Sequence, residues 1–300
     1  MDYKSIYENV KVGEVFYDHP LKDYTTFGIG GKADVLVKPT SEDELRNILK
    51  INHKFAIKTT VIGRGSNLLI SDKGIRGTVI VLADNYSNIT VEGEVLSALA
   101  GTSLNEAALC AIENHLSGME EISGIPGSVG GAVAMNAGAY GGEIKDICIL
   151  VKAFDFEGNE YEFTNSDMHF SYRHSKIFEQ GLIVSSASFK LKAGNYDEII
   201  EKYQDFTNRR ISKQPLDRKS AGSTFKRPAG SYASKLIDEC GLRGYRVGEC
   251  QVSEKHCGFI INVDKATCTD MLSFIEEVSR IVSEKTGFVL EREVKLIGEI

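Results

Sequence analysis

GIPGSVGGAVAMNAGAYGG, residues 124–142, is the most distinctive stretch of the chain, with seven glycines among nineteen residues and mainly small or apolar side chains between them. Ordering so many glycines costs conformational entropy on folding, and a bound ligand would offset that cost. The pattern favours bare backbone lying against a large flat or anionic ligand, with N–H groups turned towards it. A flexible linker is disfavoured because it would not contain Ile125, Val133 and Tyr140.

A second glycine-rich loop, GRGSN at residues 63–67, directly follows a predicted strand at 59–62. Its backbone N–H groups, its short polar side chains and its potential for left-handed turns suit a diphosphate group. A tight turn between two strands is the alternative for this loop taken alone. The loop has no Gly-Lys-Ser/Thr ending, so it is not a Walker loop.

The composition is typical of a globular protein of two or three domains, with 300 residues of which 42% are hydrophobic and 26% charged. A net charge of −7 argues against a general nucleic-acid binder. No apolar run reaches the length of a signal-peptide core or of a membrane span. The six cysteines are scattered without a C-x-x-C pair, so we expect reduced structural thiols, no metal site and a cytoplasmic location.

Hydrophobic periodicity predicts a mixture of helices and strands. A capping box at Ser41–Glu44 is expected to open the first helix. A composition shift at 212–221 indicates a domain boundary, and the region beyond it is predicted to be α+β. Helices are further predicted at 103–116, 196–211, 231–240 and 268–285, and strands at 33–38, 77–83, 149–156, 160–164, 182–191, 245–252, 258–263 and 288–297.

Seven motifs occur in one order along the chain, and together they resemble the UDP-N-acetylenolpyruvoylglucosamine reductases. This family, also called UDP-N-acetylmuramate dehydrogenases, acts in bacterial peptidoglycan precursor synthesis. The interval between Arg173 and Ser223 is short, which resembles the shorter second type of the family. The motifs are TFGIGG (26–31), IGRGSNLL (62–69), GIPGSVGGAVAMNAGAYGGE (124–143), SYRHS (171–175), SAGSTFKRP (220–228), GLRGYRVGECQVSEKH (241–256) and LEREVKLIG (290–298).

The resemblance implies an α+β fold, with a two-subdomain FAD-binding module of the vanillyl-alcohol-oxidase type and a C-terminal α+β substrate domain. Residues 1–90 and 91–210 would hold FAD non-covalently, and residues 211–300 would close over the flavin and bind the UDP-sugar. The residues that the resemblance implies for FAD binding are Gly63, Arg64, Gly65, Ser66, Asn67, Leu68, Gly124, Ile125, Pro126, Gly127, Ser128, Gly130, Gly131, Asn136, Gly138, Ala139 and Tyr140.

Three residues match the family's catalytic positions. Ser223 in AGSTF matches the proton donor, while Arg173 in SYRHS and Glu293 in LEREV match two stabilising side chains. The implied reaction passes a hydride from NADPH to the flavin, and then to the alkene carbon remote from the substrate carboxylate. Arg173 would pair with that carboxylate, and Glu293 would help only as a protonated donor, which requires a raised pKa. Ser223 would then protonate the carbon next to the carboxylate.

The resemblance also leads us to expect substrate contacts in the last third of the chain. Arg227 stands where many family members have Asn, and a purely structural role is the alternative for His256. The chain is expected to act on a small UDP-sugar with NADPH, without nucleic acid, membrane or an obligate protein partner. The candidate substrate residues are Lys226, Arg227, Arg243, Gln251 and His256.

Two other functions fit part of the sequence. An FAD oxidase of the same fold would pass electrons to oxygen and often links its flavin to a His or Cys, neither of which occurs in residues 124–142. A flavin- or nucleotide-binding module without catalysis would leave Arg173, Ser223 and Glu293 unexplained. A yellow purified protein with non-covalently bound flavin would exclude a protein that is isolated without a cofactor.

Overall fold

Short strands and amphipathic helices alternate along the chain, and the computed structural model describes residues 1–299. The chain divides into two units. The first unit contains Met1–Tyr17, Val35–Arg64 and Gly77–Arg209, and the second contains Asp18–Asp34, Gly65–Arg76 and the residues from 210 onward. Each unit has its own cluster of buried hydrophobic side chains.

The helices and strands are short, apart from two long helices in the second half of the chain. The helices are α1 (Tyr3–Tyr7), α2 (Glu42–Lys54), α3 (Leu104–Glu113), α4 (Val129–Ala134), α5 (Ile144–Ile147), α6 (Lys176–Gln180), α7 (Tyr196–Lys213), α8 (Ala233–Glu239) and α9 (Cys268–Thr286). The strands are β1 (Glu14–Pro20), β2 (Lys32–Lys38), β3 (Thr59–Ile62), β4 (Leu68–Ile70), β5 (Ile75–Val81), β6 (Ile89–Glu92), β7 (Val95–Leu99), β8 (Leu116–Ser117), β9 (Gly138–Ala139), β10 (Gly142–Glu143), β11 (Cys148–Phe154), β12 (Glu160–Thr164), β13 (Ile183–Lys190), β14 (Lys192–Ala193), β15 (Lys219–Ser223), β16 (Arg246–Val247), β17 (Cys250–Val252), β18 (Phe259–Asn262) and β19 (Lys295–Ile297).

The first unit is built around a five-stranded antiparallel sheet in the order β12-β11-β13-β7-β6. Helix α4, from the glycine-rich tract, packs against β13. A second sheet has the order β1-β2-β5-β3, and its β3–β5 pair is parallel. The predicted strands at 149–156 and 160–164 are thus confirmed as β11 and β12, which are neighbours in this sheet.

The structure has a complete capping box at α3 and only half of the predicted one at α2. Ser103 and Glu106 form the reciprocal pair of a capping box at the start of α3. At α2 the Ser41 side chain accepts from the Glu44 N–H, but the Glu44 carboxylate accepts from the Thr40 N–H and hydroxyl instead of from Ser41. The predicted capping box at Ser41–Glu44 is therefore wrong in its second half, because Thr40 offers the carboxylate two donors.

The second unit contains an antiparallel sheet in the order β15-β18-β17-β16, together with α8 and α9. Helix α9 begins with a Thr267–Asp270 capping box and ends at Gly287, whose φ is 77°. Its apolar face enters the core of the unit. The buried residues of this face are Cys268, Met271, Phe274, Ile275, Val278 and Val282.

The predicted strand at 288–297 is mostly wrong, since only Lys295–Ile297 forms a strand. This strand, β19, pairs in parallel with β4, a partner more than two hundred residues earlier in the chain. Residues 291–293 instead follow an irregular path beside 224–226, joined by an isolated bridge between Phe225 and Arg292. Likewise, the predicted strand at 245–252 is two short strands, β16 and β17, which pair with each other.

Residues 1–299 contain no helix with the length and apolar character that a membrane crossing requires.

Asp72 supports the start of α9 from outside the helix. Its carboxylate accepts from the N–H groups of Cys268 and Thr269, at 2.7 and 3.0 Å, and from the Thr269 hydroxyl. Because these N–H groups lie in the first turn, Asp72 acts as an additional cap.

We therefore expect Asp72→Ala to lower the free energy of unfolding by about 1 kcal/mol, measured by urea denaturation. Asp23→Ala, which removes another exposed carboxylate of the same unit, is the control and should change stability by less than half as much. Equal losses in the two variants would show that Asp72 is not a cap.

Candidate active site

The glycine-rich tract is not bare loop throughout, because its middle forms α4. Ser128 is the N-cap of this helix and accepts from the Gly131 N–H at 3.4 Å. The N–H groups of Val129 and Gly130 donate to the carbonyls of Thr102 and Ala100, both at 2.8 Å. These two N–H groups therefore bind the neighbouring segment, which corrects the expectation that they would face a ligand.

The two glycine-rich segments touch each other inside the first unit. A Cβ built on Gly63 would lie 2.5 Å from the Ser128 Oγ, which is too close for any real side chain. A side chain at residue 63 would therefore have to displace the Ser128 hydroxyl, and glycine lets the loop after β3 approach the start of α4 closely.

Arg64 provides a positive charge next to this contact. Its guanidinium is bonded to Asp84 and lies 3.7 Å from the Glu106 carboxylate. Its Nε is buried and has no hydrogen-bond partner among residues 1–299. A buried cationic N–H beside small residues suits an anionic group that can accept from it.

The rest of the first loop belongs to the second unit and is fixed by main-chain bonds. The Gly65 carbonyl accepts from the Thr26 N–H at 3.3 Å. The Asn67 carbonyl accepts from the Lys295 N–H at 3.0 Å, and the Asn67 amide donates to the Glu293 carbonyl at 3.4 Å. Ser66 is partly exposed, and Leu68 opens β4. Asn67 therefore joins this loop to the segment that carries Glu293.

The tract turns sharply after α4. Asn136 and Tyr140 both have positive φ, at 40° and 54°. Gly138 and Ala139 form β9, which pairs with β10, and the exposed Tyr140 ring stacks on Phe206 with 5.0 Å between ring centroids.

Arg173 lies in a tight turn of the first unit, with a left-handed φ of 57°. The turn is closed by reciprocal bonds between the backbones of Ser171 and His174, at 3.1 and 3.2 Å. The Arg173 guanidinium lies 4.9 Å from the centre of the Tyr172 ring. On the far side of the turn, His174 Nε2 lies 3.0 Å from the Glu179 carboxylate.

Ser223 ends β15 just after an irregularity in its pairing with β18, and Gly222 provides that irregularity. Gly222 has a φ of 73°, and the ladder shifts register between Ser220 and Ser223. Such a bulge re-aims the following side chain, and Ser223 is exposed at the end of the strand. The next residue, Thr224, is buried and accepts from the Ile260 N–H at 3.1 Å, which fixes the chain beyond Ser223.

The second unit brings Ser223 and Glu293 onto adjacent backbone segments. The Glu293 N–H donates to the Thr224 carbonyl at 2.9 Å, and the Lys226 N–H donates to the Glu291 carbonyl at 2.8 Å. The Glu293 side chain is buried, with 9% of its surface exposed. Two of the three predicted catalytic residues are therefore neighbours, although the sequence separates them by seventy residues.

Two predicted substrate residues follow Ser223 directly. Lys226 is ion-paired with Glu291. Arg227 is exposed, and its guanidinium lies 4.1 Å from the centre of the Tyr232 ring. Both cations therefore lie on the same segment as the predicted proton donor.

The other predicted substrate residues have partners within the second unit. Arg243 donates twice to Asp238, at 3.0 and 2.6 Å, and also to the Glu254 carbonyl. Gln251 donates to the Gly244 carbonyl at 3.2 Å. His256 Nδ1 accepts from the Gly258 N–H at 3.1 Å, and burial lowers the pKa of its ring. These contacts are sufficient to explain all three residues structurally.

The cysteines of the chain are free thiols, and burial raises the pKa of Cys148 and Cys250 to about 12. Within residues 1–299 no cluster of three or more His, Cys, Asp or Glu side chains could hold a metal ion.

Comparison with known proteins supports the family suggested by the motifs. Residues 33–164 match the model of an FAD binding domain, and residues 214–297 match the C-terminal domain of UDP-N-acetylenolpyruvoylglucosamine reductase. The reductases of Clostridioides difficile (strain 630) and of Caldanaerobacter subterraneus are both 48% identical to this chain over 97% of its length, and the match covers 94% and 96% of theirs. The chain belongs to the UDP-N-acetylenolpyruvoylglucosamine reductase family.

A solved structure agrees with this assignment. The crystal structure of the reductase from Thermus caldophilus matches with a TM-score of 0.80 and 36% identity, and the match covers 94% of this chain and 98% of that one. The predicted α+β fold with an FAD-binding module and a C-terminal domain is confirmed, and the chain is an FAD-dependent oxidoreductase of this family.

The residues of the first unit fit FAD. Gly63 and Ser128 bring the two glycine-rich segments together with only small side chains at their contact, which suits a flat or phosphorylated group lying against them. The Nε of Arg64, which has no hydrogen-bond partner within residues 1–299, offers a buried donor next to it. Both features are independent of the family match and indicate the same kind of ligand.

Glu143 is a charged residue near this site for which the sequence motifs predict no role. Its carboxylate accepts from the buried Asn136 amide at 2.9 Å, and the same amide donates to the Ser171 carbonyl at 3.1 Å. The sequence does mark Glu143 by its position, since it is the first charged residue after the nineteen uncharged residues of the tract.

We expect Gly63→Ala to weaken FAD binding about tenfold or more, because the new Cβ must push the Ser128 Oγ away and separate the two segments. Flavin retention after gel filtration and a fluorescence titration with FAD would measure this. Gly194→Ala is the control, since it lies outside the proposed FAD-binding residues and the nearest atom to its Cβ would be the flexible end of the Ile199 side chain, at 3.1 Å. Equal flavin loss in both variants would contradict the steric explanation.

Proposed function

We propose that this chain reduces the enolpyruvyl group of UDP-N-acetylenolpyruvoylglucosamine to give UDP-N-acetylmuramate, with NADPH as hydride donor, in peptidoglycan precursor synthesis. Family membership and the names of its relatives support the substrate. The observation that carries the proposal is the adjacency of Ser223 and Glu293, which puts a hydroxyl and a buried carboxyl on paired segments of the C-terminal domain.

The protein must supply a proton and stabilise charge, while bound FAD would supply the hydride chemistry between the nicotinamide and the alkene. When hydride adds to the alkene carbon remote from the carboxylate, electron density moves to the carboxylate and the carbon beside it. Ser223 is the proposed donor of the proton that this carbon then takes up. A serine hydroxyl is a weak acid, so the Gly222 bulge contributes by fixing its position.

Arg173 and Glu293 are proposed to stabilise the charge that develops on the substrate carboxylate. A guanidinium presents N–H donors in a fixed fork that matches a carboxylate, and its benefit is greatest when charge accumulates there. A carboxyl group can do the same only in its protonated form, as a hydrogen-bond donor. Glu293 is buried, with 9% of its surface exposed, as a group that donates in a dry site would be.

The finer assignments also belong to this proposal. Residues 63–68 and 124–140 would hold FAD, within domains at 1–90 and 91–210, and residues 211–300 would bind the UDP-sugar. Lys226 and Arg227 are the substrate candidates that the structure favours, because they lie on the Ser223 segment. Arg243, Gln251 and His256 are less favoured, because their polar atoms serve the fold.

Location and partners stay predictions. A cytoplasmic enzyme would meet both NADPH and the nucleotide sugar, and the free thiols are compatible with a reducing compartment. We propose that it needs no nucleic acid, membrane or obligate protein partner for turnover.

The decisive test is stopped-flow reoxidation of the NADPH-reduced protein by UDP-N-acetylenolpyruvoylglucosamine against oxygen. Fast reoxidation by the enolpyruvyl sugar with slow reaction towards oxygen supports the proposal. The opposite ratio would identify an oxidase of the same fold, and no reoxidation by either would exclude both.

Ser223→Ala should separate the two half-reactions. NADPH should still bleach the flavin at close to the wild-type rate, whereas turnover of the enolpyruvyl sugar should fall by orders of magnitude. Ser220→Ala, on the same strand, is the control and should retain activity. If both half-reactions of Ser223→Ala failed together, Ser223 would not be the proton donor.

A further inference from the structure

The turn that carries Arg173 is held in an unfavourable conformation by its surroundings. A non-glycine residue at a φ of 57° costs about 1–3 kcal/mol, and it persists only where neighbouring contacts over-determine it. One such contact is on the chain after the turn, where the fully buried Ser175 hydroxyl donates to the Ala134 carbonyl at 2.8 Å. Another is at its start, where the Ser171 carbonyl accepts from Asn136.

Asn136 is the junction between this turn and the end of the glycine-rich tract. It is 1% exposed, and its side chain makes three hydrogen bonds. The amide donates to the Ser171 carbonyl at 3.1 Å and to the Glu143 carboxylate at 2.9 Å, and its oxygen accepts from the Lys145 N–H at 3.0 Å. Glu143 therefore fixes the orientation of the group that holds the Arg173 turn.

Glu143 also acts on Arg173 through its charge. Its hydrogen bond with Lys145, whose Nζ lies at 2.8 Å, is the main cause that lowers the pKa of the Glu143 carboxyl. The Asn136 bond and the positive charge of Arg173 lower it further. Glu143 is thus ionised at neutral pH and close enough to Arg173 for their charges to interact.

We propose that Glu143 is a positioning residue for the reaction, which orients Arg173 towards the carboxylate of the enolpyruvyl substrate. This inference rests on the proposed function. A guanidinium has five N–H donors in one plane, so one carboxylate can orient it while another of its edges binds a second carboxylate. Glu143 acts by electrostatic attraction and, through Asn136, by fixing the backbone of the turn.

Glu143→Gln tests the charge and retains an oxygen that can accept from Asn136. We expect kcat/KM for the enolpyruvyl sugar to fall about tenfold to a hundredfold, as a small misplacement of a binding group would cause. Flavin content and the rate of flavin reduction by NADPH should stay within about twofold of wild type. Lys145→Ala is the control, because it removes the other charge partner of Glu143, and it should keep most of the activity.

The Arg173→Ala background shows whether Glu143 acts through Arg173. If it does, adding Glu143→Gln to Arg173→Ala should cause no further loss. A full additional loss in the double variant, or an equal loss of flavin reduction in the single one, would overturn the proposal.

If wild type does not turn over the enolpyruvyl sugar, the proposed function fails by itself. Crystal structures of wild type and Glu143→Ala then test the positioning directly, and an unchanged Arg173 turn in the variant would refute it.

Discussion

The pairing of residues 224–226 with 291–293 is the constraint on which the C-terminal part of the site depends. Phe225 of the first segment and Val294, which directly follows the second, are 3% and 2% exposed and belong to the same core. A slip of one residue in one direction would bring a charged neighbour, Lys226 or Lys295, to the position of one of these apolar side chains. Burial of these two apolar side chains therefore fixes the register that makes Ser223 and Glu293 neighbours. The Gly222 bulge then sets the direction of Ser223.

Backbone strain in the first unit is concentrated in the segments proposed for function. Four residues in two short stretches have positive φ, namely Asn136, Tyr140, His169 and Arg173. The Asn136 side chain joins the two stretches through its hydrogen bond to the Ser171 carbonyl. Each such residue costs about 1–3 kcal/mol, so a chain selected for stability alone would place glycine there. Positive φ by itself does not mark function, since Asp18, Ala56 and His115 share it elsewhere. The distinguishing feature is that a buried polar side chain holds the strained turn from outside.

The sequence predicted well what local chemistry determines and poorly what distant partners determine. Helices α3 and α9 were predictable because each has a Ser or Thr cap and an apolar face of helical period. The stretch 288–297 has apolar residues suited to a strand, but strand pairing needs a partner, and β4 is available only to its last three residues. The N–H groups of Val129 and Gly130 looked available to a ligand, because no local pattern reveals that Ala100 and Thr102 lie opposite them. The motifs identified the residues of the candidate site. The adjacency of Ser223 and Glu293 follows only from the tertiary fold.

Asn136 shows why the two functional segments of the first unit are not independent. An apolar side chain of similar size would leave the Ser171 carbonyl, the Lys145 N–H and one acceptor of Glu143 without this partner. A buried polar group left unsatisfied costs about 1–3 kcal/mol, so the loss of all three bonds outweighs the roughly 1.5–3 kcal/mol that burying an apolar side chain contributes. An asparagine at this buried position is therefore best explained by the three groups it connects. Two of these groups, at Glu143 and Lys145, directly follow the tract that approaches Gly63, and the third begins the turn of Arg173. The geometry of the proposed cofactor surface and that of the proposed carboxylate-binding arginine are thus set by one hydrogen-bonded side chain.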